Sequence, residues 1–210
     1  MGAAPRYRVP AARAHSELLI ERSRFLCTID RASSSAMARE VIADVRAQHA
    51  DATHHCWAFN AGAPGDSAHV GSSDDGEPHG TAGRPMLTVL THSGVGELVA
   101  VVTRYYGGVK LGTGGLARAY AAAVQSTLAV LDTEERVERV TATLRYAYAQ
   151  HGAILQLLPT VEAVAVHEEF AEAVALQVRL PREQVAALRR GLADATAGGA
   201  ELLVPDDGSP

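Results

Sequence analysis

A chain of 210 residues with 47% apolar and 20% charged side chains and a mean hydropathy of +0.00 can bury a core and is long enough for two small domains, which excludes disorder as the whole account. Its formal net charge of -5 argues against a surface that attracts nucleic acid everywhere. No run approaches the roughly 18 to 20 apolar residues of a membrane span, and Arg6, Arg8 and Arg13 precede no apolar stretch of signal-peptide type, so a soluble, cytoplasmic protein is expected.

In chain order, Glu17 to Ile20 and Phe25 to Ile29 read as short strands joined as a hairpin across Glu21 to Arg24. The hydroxyls of Ser33 to Ser35 offer an N-cap to a helix in which Ala38, Val41, Ile42, Val45 and His49 recur at helical spacing. His55 to Phe59 is strand-like, and the Gly- and Asp-rich stretch from Gly62 to Pro78 reads as one long loop. Pro85 favours a helix start before Met86 to Thr91, with Thr81 as its cap, and Glu97 to Thr103 reads as a buried strand. Leu116, Tyr120, Ala123, Val124, Thr127, Leu128 and Leu131 then form a single apolar stripe on a helix.

The polar stretch Asp132 to Arg136 marks a domain boundary, because charge balance changes across it. Residues 1–131 hold 12 basic and 11 acidic side chains, against 7 and 13 in residues 132–210. Two domains are expected, residues 1–131 and 136–210. The second reads as β-α-β-β-α-β: Val140 to Tyr148 alternating, a short helix with Ile154, Leu155 and Leu158, and strands near Val161 to Val166 and Val174 to Leu180. A helix with Val185, Leu188 and Leu192 and a strand near Leu202 to Val204 complete it. That order is the split-βαβ, ferredoxin-like arrangement.

Two segments are dense enough to carry chemistry. In residues 104–120 the glycines Gly107, Gly108, Gly112, Gly114 and Gly115 lie between a strand and a helix N-terminus, a layout in which backbone N–H groups converge on an anion. It matches neither a Walker loop nor a dinucleotide fingerprint. Arg104, Lys110 and Arg118 flank it, Lys110 being the sole lysine beside eighteen arginines. Arg118 falls about 200° from Leu116, off the apolar stripe. Tyr105 and Tyr106, like Trp57 and Phe59, could stack bases, and Arg84 adds a nearby cation. The alternative is a tight crossover with solvated cations.

The other segment holds Asp74, Asp75 and Glu77, which would hold a divalent cation or act as acid and base, or would only support a turn and helix start. The spacing is not that of a calcium loop. His54 and Cys56 share a strand face but supply two ligands, too few for zinc. Cys27 and Cys56 belong to no CxxC pair and read as reduced thiols. No metal, cofactor or catalytic residue is expected.

Four blocks in order resemble the YigZ/Impact family: Ser23-Arg24-Phe25; His54 to Ala58; Ser73 to Pro78 with Gly80 to Gly83; and Arg104 to Gly108 with Leu111-Gly112, Gly114-Gly115-Leu116 and Arg118-Ala119-Tyr120. Tyr106 stands where phenylalanine is common. The resemblance implies an α+β fold of two domains, the first similar to domain 2 of ribosomal protein S5 and the second ferredoxin-like, similar to the last domains of elongation factor G. Eukaryotic Impact proteins restrain a nutrient-sensing kinase pathway by competing for the kinase's activator, so the resemblance implies translational control and carries over no catalytic residue. The expected function is a translation-associated regulatory protein, more an RNA- or ribosome-partner binder than an enzyme, acting through Arg84, Arg104, Tyr105, Lys110, Arg118 and the glycine loop. The rivals are a metal-dependent hydrolase or phosphorylated-ligand enzyme built on Asp74, Asp75 and Glu77, and a purely protein-binding module. The oligomeric state stays open.

Overall fold

The structure, a computed structural model, describes residues 6–205. The chain separates into two units, one ending at Arg136 and the other beginning at Val137.

The first unit runs β1 (Arg6–Pro10), β2 (Ala14–Ile20), β3 (Ser23–Arg31), α1 (Ser35–Gln48), β4 (His54–Asn60), β5 (Val70–Ser73), α2 (Gly83–His92), β6 (Leu98–Tyr105), α3 (Gly112–Leu128) and β7 (Thr133–Val137). Strands β2-β3-β6-β4-β5 form one sheet, antiparallel throughout. The most apolar run, β6, takes the centre because both its faces are covered. Leu98, Ala100 and Val102 pack with Phe25, Cys27, Met86 and Tyr120 beneath α2 and α3. Val99 and Val101 pack with Ala38, Ile42 and Val45 of α1 on the other face. The side chain of Ser34 caps α1 by accepting from Met37 N–H at 3.2 Å.

Three sequence readings change. The hairpin loop is only Glu21-Arg22, both at positive φ (45° and 66°), the twist that a two-residue turn needs to match its strands. Ser23 and Arg24 therefore belong to β3. The stretch from Gly62 to Pro78 contains β5, an edge strand paired with Trp57 to Asn60. It lacks a strand-like pattern because Gly71 lies against the Phe59 ring, where a Cβ would collide. The polar stretch placed at the boundary is largely β7, which pairs with β1, a strand absent from the sequence reading. Charge holds it: buried Glu97 receives Tyr7 Oη at 2.8 Å, Arg31 Nη2 at 3.1 Å and Arg136 Nε at 2.5 Å.

The second unit runs β8 (Arg139–Tyr146), α4 (His151–Leu157), β9 (Val164–Phe170), β10 (Val174–Pro181), α5 (Val185–Thr196) and β11 (Glu201–Leu203). Its sheet order β11-β8-β10-β9, antiparallel throughout, is the ferredoxin-like arrangement. Leu144, Ile154, Leu176, Val178, Leu188 and Leu192 form its core. Tyr146 faces inward as expected, but Tyr148 does not: it sits in a 3-10 turn after β8, half exposed. Val161 likewise lies in a buried turn, and β9 begins later because Glu162 adopts a left-handed conformation. Among the described residues no helix is long and apolar enough to cross a membrane.

Candidate functional site

The end of the sheet where β6 finishes and β4 begins, with His54 opposite Arg104, receives both the acidic segment leading to α2 and the glycine segment leading to α3. Arg104 lies at the centre of this end and is buried, 5% exposed. Its Nη1 donates to Glu77 Oε1 at 2.6 Å and its Nη2 to Ser23 Oγ at 3.2 Å. The Tyr120 hydroxyl donates to the same Glu77 oxygen at 2.8 Å. The guanidinium lies 5.3 Å from the Phe25 ring centroid and 5.4 Å from that of Tyr106. Cys56 adds the remaining block, its thiol donating to the Asp74 carbonyl at 3.0 Å. One buried ion pair thus joins segments that the sequence spreads over about a hundred residues.

Arg104 is therefore corrected from a ligand-facing cation to an internal one. Its charge is matched inside the fold, as a buried guanidinium requires. Tyr105 is corrected as well. It points to the α1 face, within 3.1 Å of His49 Nδ1 and donating to Asp51 at 3.1 Å, away from the α2 and α3 side.

The three carboxylates are also engaged. Glu77 serves Arg104 and Tyr120. Asp75 accepts the His55 N–H at 2.7 Å and pairs with Arg46. Asp74 accepts Gly80, Ala82 and Gly83 N–H at 2.7, 3.0 and 2.8 Å, and so caps α2 from outside the helix. Thr81, the expected cap, instead donates to the Pro78 carbonyl. Among the described residues no group of three His, Cys, Asp or Glu is placed to hold a metal ion. Burial pushes the thiols of Cys27 and Cys56 up to about 12, which keeps them unreactive at neutral pH. Burial, together with Cys56 and Glu77, keeps the Tyr120 hydroxyl protonated.

Burial would raise the Asp74 carboxyl, but the N–H groups of Gly80, Gly83 and Ala82 outweigh it and hold it below the usual range. A carboxyl lowered in the folded state adds stability above its unfolded pKa of about 3.9, and that stability is lost as pH falls through the folded value. Asp74→Ala is expected to lose about 1–2 kcal/mol at neutral pH. The difference from the parent should close in acid, as read by denaturant unfolding at a series of pH values.

Two predicted cations do meet. Lys110 and Arg118 line an open groove of about 500 Å³ with Ile20, Glu21, Val109, Leu111 and Ala119. No side chain caps the N-terminus of α3, and its first turn carries no acid. Arg118 reaches back along the helix, as helical side chains do: its Nη1 lies 3.5 Å from where a Cβ on Gly114 would stand. Arg84 lines a separate depression at the start of α2, with Ser72, Asp74 and His79. Of the glycines, Gly107 is fixed by packing, since a Cβ there would collide with the Arg22 carbonyl. Its N–H donates to Ser23 Oγ at 3.2 Å. Gly112 opens α3 at φ +69°, a value that favours glycine. Gly108 lies in the loop before α3, and Gly114 and Gly115 lie in the first turn of the helix.

Ser23 and Tyr120 as partners of the ion pair, and Ile20, Val109 and Leu111 as the groove floor, were not singled out from sequence for these roles. The one available signal was a charged Arg104 closing an otherwise apolar strand.

Residues 21–128 match the Impact N-terminal domain, and residues 144–198 match a domain of unknown function, DUF1949. The chain is 42% identical over 199 residues to "IMPACT family member YigZ" of Escherichia coli K12, covering 95% of this chain and 98% of that protein. It is 39% identical over 192 residues to an "IMPACT family member" of Haemophilus influenzae, covering 91% and 93%. A solved structure described as "Crystal structure of an hypothetical protein" is 41% identical, with a TM-score of 0.68 over 98% of this chain and 100% of that one.

Proposed function

The chain belongs to the Impact family, and from that premise we propose that it is a cytoplasmic, translation-associated binding protein whose first unit engages RNA phosphate without catalysing a reaction. The observation that carries this reading is the meeting of Lys110 and Arg118 in one groove at the uncapped N-terminus of α3. Helix dipole, free N–H groups and two cations favour an anion at the same place. The contrast with α2 is informative, because Asp74 already occupies that helix start. Arg84 lies in its own depression, beside Asp74, and is a further cation on this unit. The translational setting follows from what the family resemblance implies.

The hydrolase reading finds its three carboxylates already committed to N–H groups, Arg46, Arg104 and Tyr120. Capture of partners from lysate by the full chain, with and without ribonuclease, tests the proposal. Partners lost on ribonuclease treatment are the expected result. An unchanged set of proteins would replace it with direct protein binding, and stoichiometric metal with turnover abolished by Asp75→Asn would replace it with the hydrolase.

A further inference from the structure

The second unit ends its sheet on β9, and among the described strands β9 is the one exposed at every position. Seven residues long and free of Pro, Lys and Arg, it is guarded against another chain only by its carboxylates and by one register shift against β10. The opposite edge, β11, is only three residues long. Val164, Val166 and Phe170 are 62%, 59% and 57% exposed. We propose that the outer edge of β9 takes up an extended basic polypeptide segment as an added strand.

Charge selects the occupant. Glu168 and Glu169 are consecutive on β9 and point to opposite faces of the sheet, so an incoming strand meets a carboxylate on either side. The only other titratable side chain on β9 is His167. Glu172 follows in the turn. Glu168 shares a face with Phe170, because their β10 partners, Leu176 and Val174, do. On that face Phe170 stacks on half-exposed Tyr148 at 6.0 Å and 20°. His151 lies beside them, its Nδ1 3.4 Å from Glu168 Oε1. An exposed aromatic pair beside a carboxylate accepts an arginine or lysine head by combined cation–π and ionic contact.

Geometry narrows the place. The register between β9 and β10 shifts at Gln177/Val178, so regular pairing is available along His167 to Phe170. A second copy docked antiparallel about that stretch would set Glu168 against Glu169, a like-charge pair that opposes self-association. A basic strand meets no such penalty.

The test uses the full chain and a labelled extended peptide alternating valine with arginine, beside the same peptide with glutamate for arginine. Fluorescence anisotropy should show binding of the basic peptide alone, and hydrogen exchange should slow in His167 to Phe170. Glu168→Lys/Glu169→Lys should weaken it about tenfold or more. Phe170→Ala, which leaves both carboxylates, should weaken it less, each variant melting near the parent. Equal binding of the acidic peptide, protection elsewhere, undiminished binding by the charge-reversed variant, or β9 protection that rises with protein concentration without peptide would overturn the proposal. RNA affinity, assigned to the other unit, should be the same in these variants.

Discussion

Replacing Arg104 by methionine is expected to destabilise the first unit by roughly 3–5 kcal/mol. The substitution keeps much of the apolar stem between Phe25 and Tyr106 but leaves the Glu77 carboxylate, on a side chain 4% exposed, without its cation. Ser23 would lose its guanidinium donor, and with it part of the tie between the hairpin and Gly107. Glu77→Gln should be costly for the mirror reason, since the guanidinium then lacks a counter-charge. The double variant Glu77→Gln/Arg104→Met leaves neither charge unpaired and should lose less than the two single losses added together. Denaturant unfolding of the four proteins in one cycle measures this. Strictly additive losses would mean that the two side chains do not act as a pair.

The elements that could be read from the sequence are those whose pattern comes from burial. The run Glu97 to Thr103 announced a buried strand, and the α3 stripe from Leu116 matched the side chains packed beneath it. Alternation at Ala142, Leu144 and Tyr146 and at Leu176, Val178 and Leu180 gave the second sheet. Strands without such a pattern were missed. β5 rests a glycine on Phe59, and β1 with β7 buries Val9 but otherwise gathers Arg31, Arg136 and Tyr7 around Glu97.

The site was half legible for a related reason. Residue type announced Lys110 and Arg118 as cations, and they are exposed. The same argument failed at Arg104, because what a charge faces depends on a partner 27 positions away. Asp74, Asp75 and Glu77 looked like a cluster because they are adjacent in sequence. Their carboxylates diverge, one to the start of α2, one to β4 and α1, and one into the core.

The second large effect concerns Lys110→Gln/Arg118→Gln. Both side chains lie on an open groove, so stability should change by less than about 0.5 kcal/mol for each. RNA affinity should fall for every sequence alike, because phosphate contacts position a chain without reading its bases. Two cations removed should flatten the dependence of log K on log salt by about 1.4 for a single strand. Parent and variant are compared by filter binding with uridine and adenosine homopolymers. A loss confined to one homopolymer would assign the groove to base recognition. No loss at all would remove the groove from the interface.

The central claim is that α3's N-terminus, with Lys110 and Arg118 beside it, receives a polyanion. Its most direct measurement is the affinity of the unmodified chain for single-stranded RNA as salt is raised. The account predicts a linear fall of log K with log salt, with a slope of about -1.4 or steeper. An affinity that does not change with salt, or no binding even at the lowest salt, would contradict it.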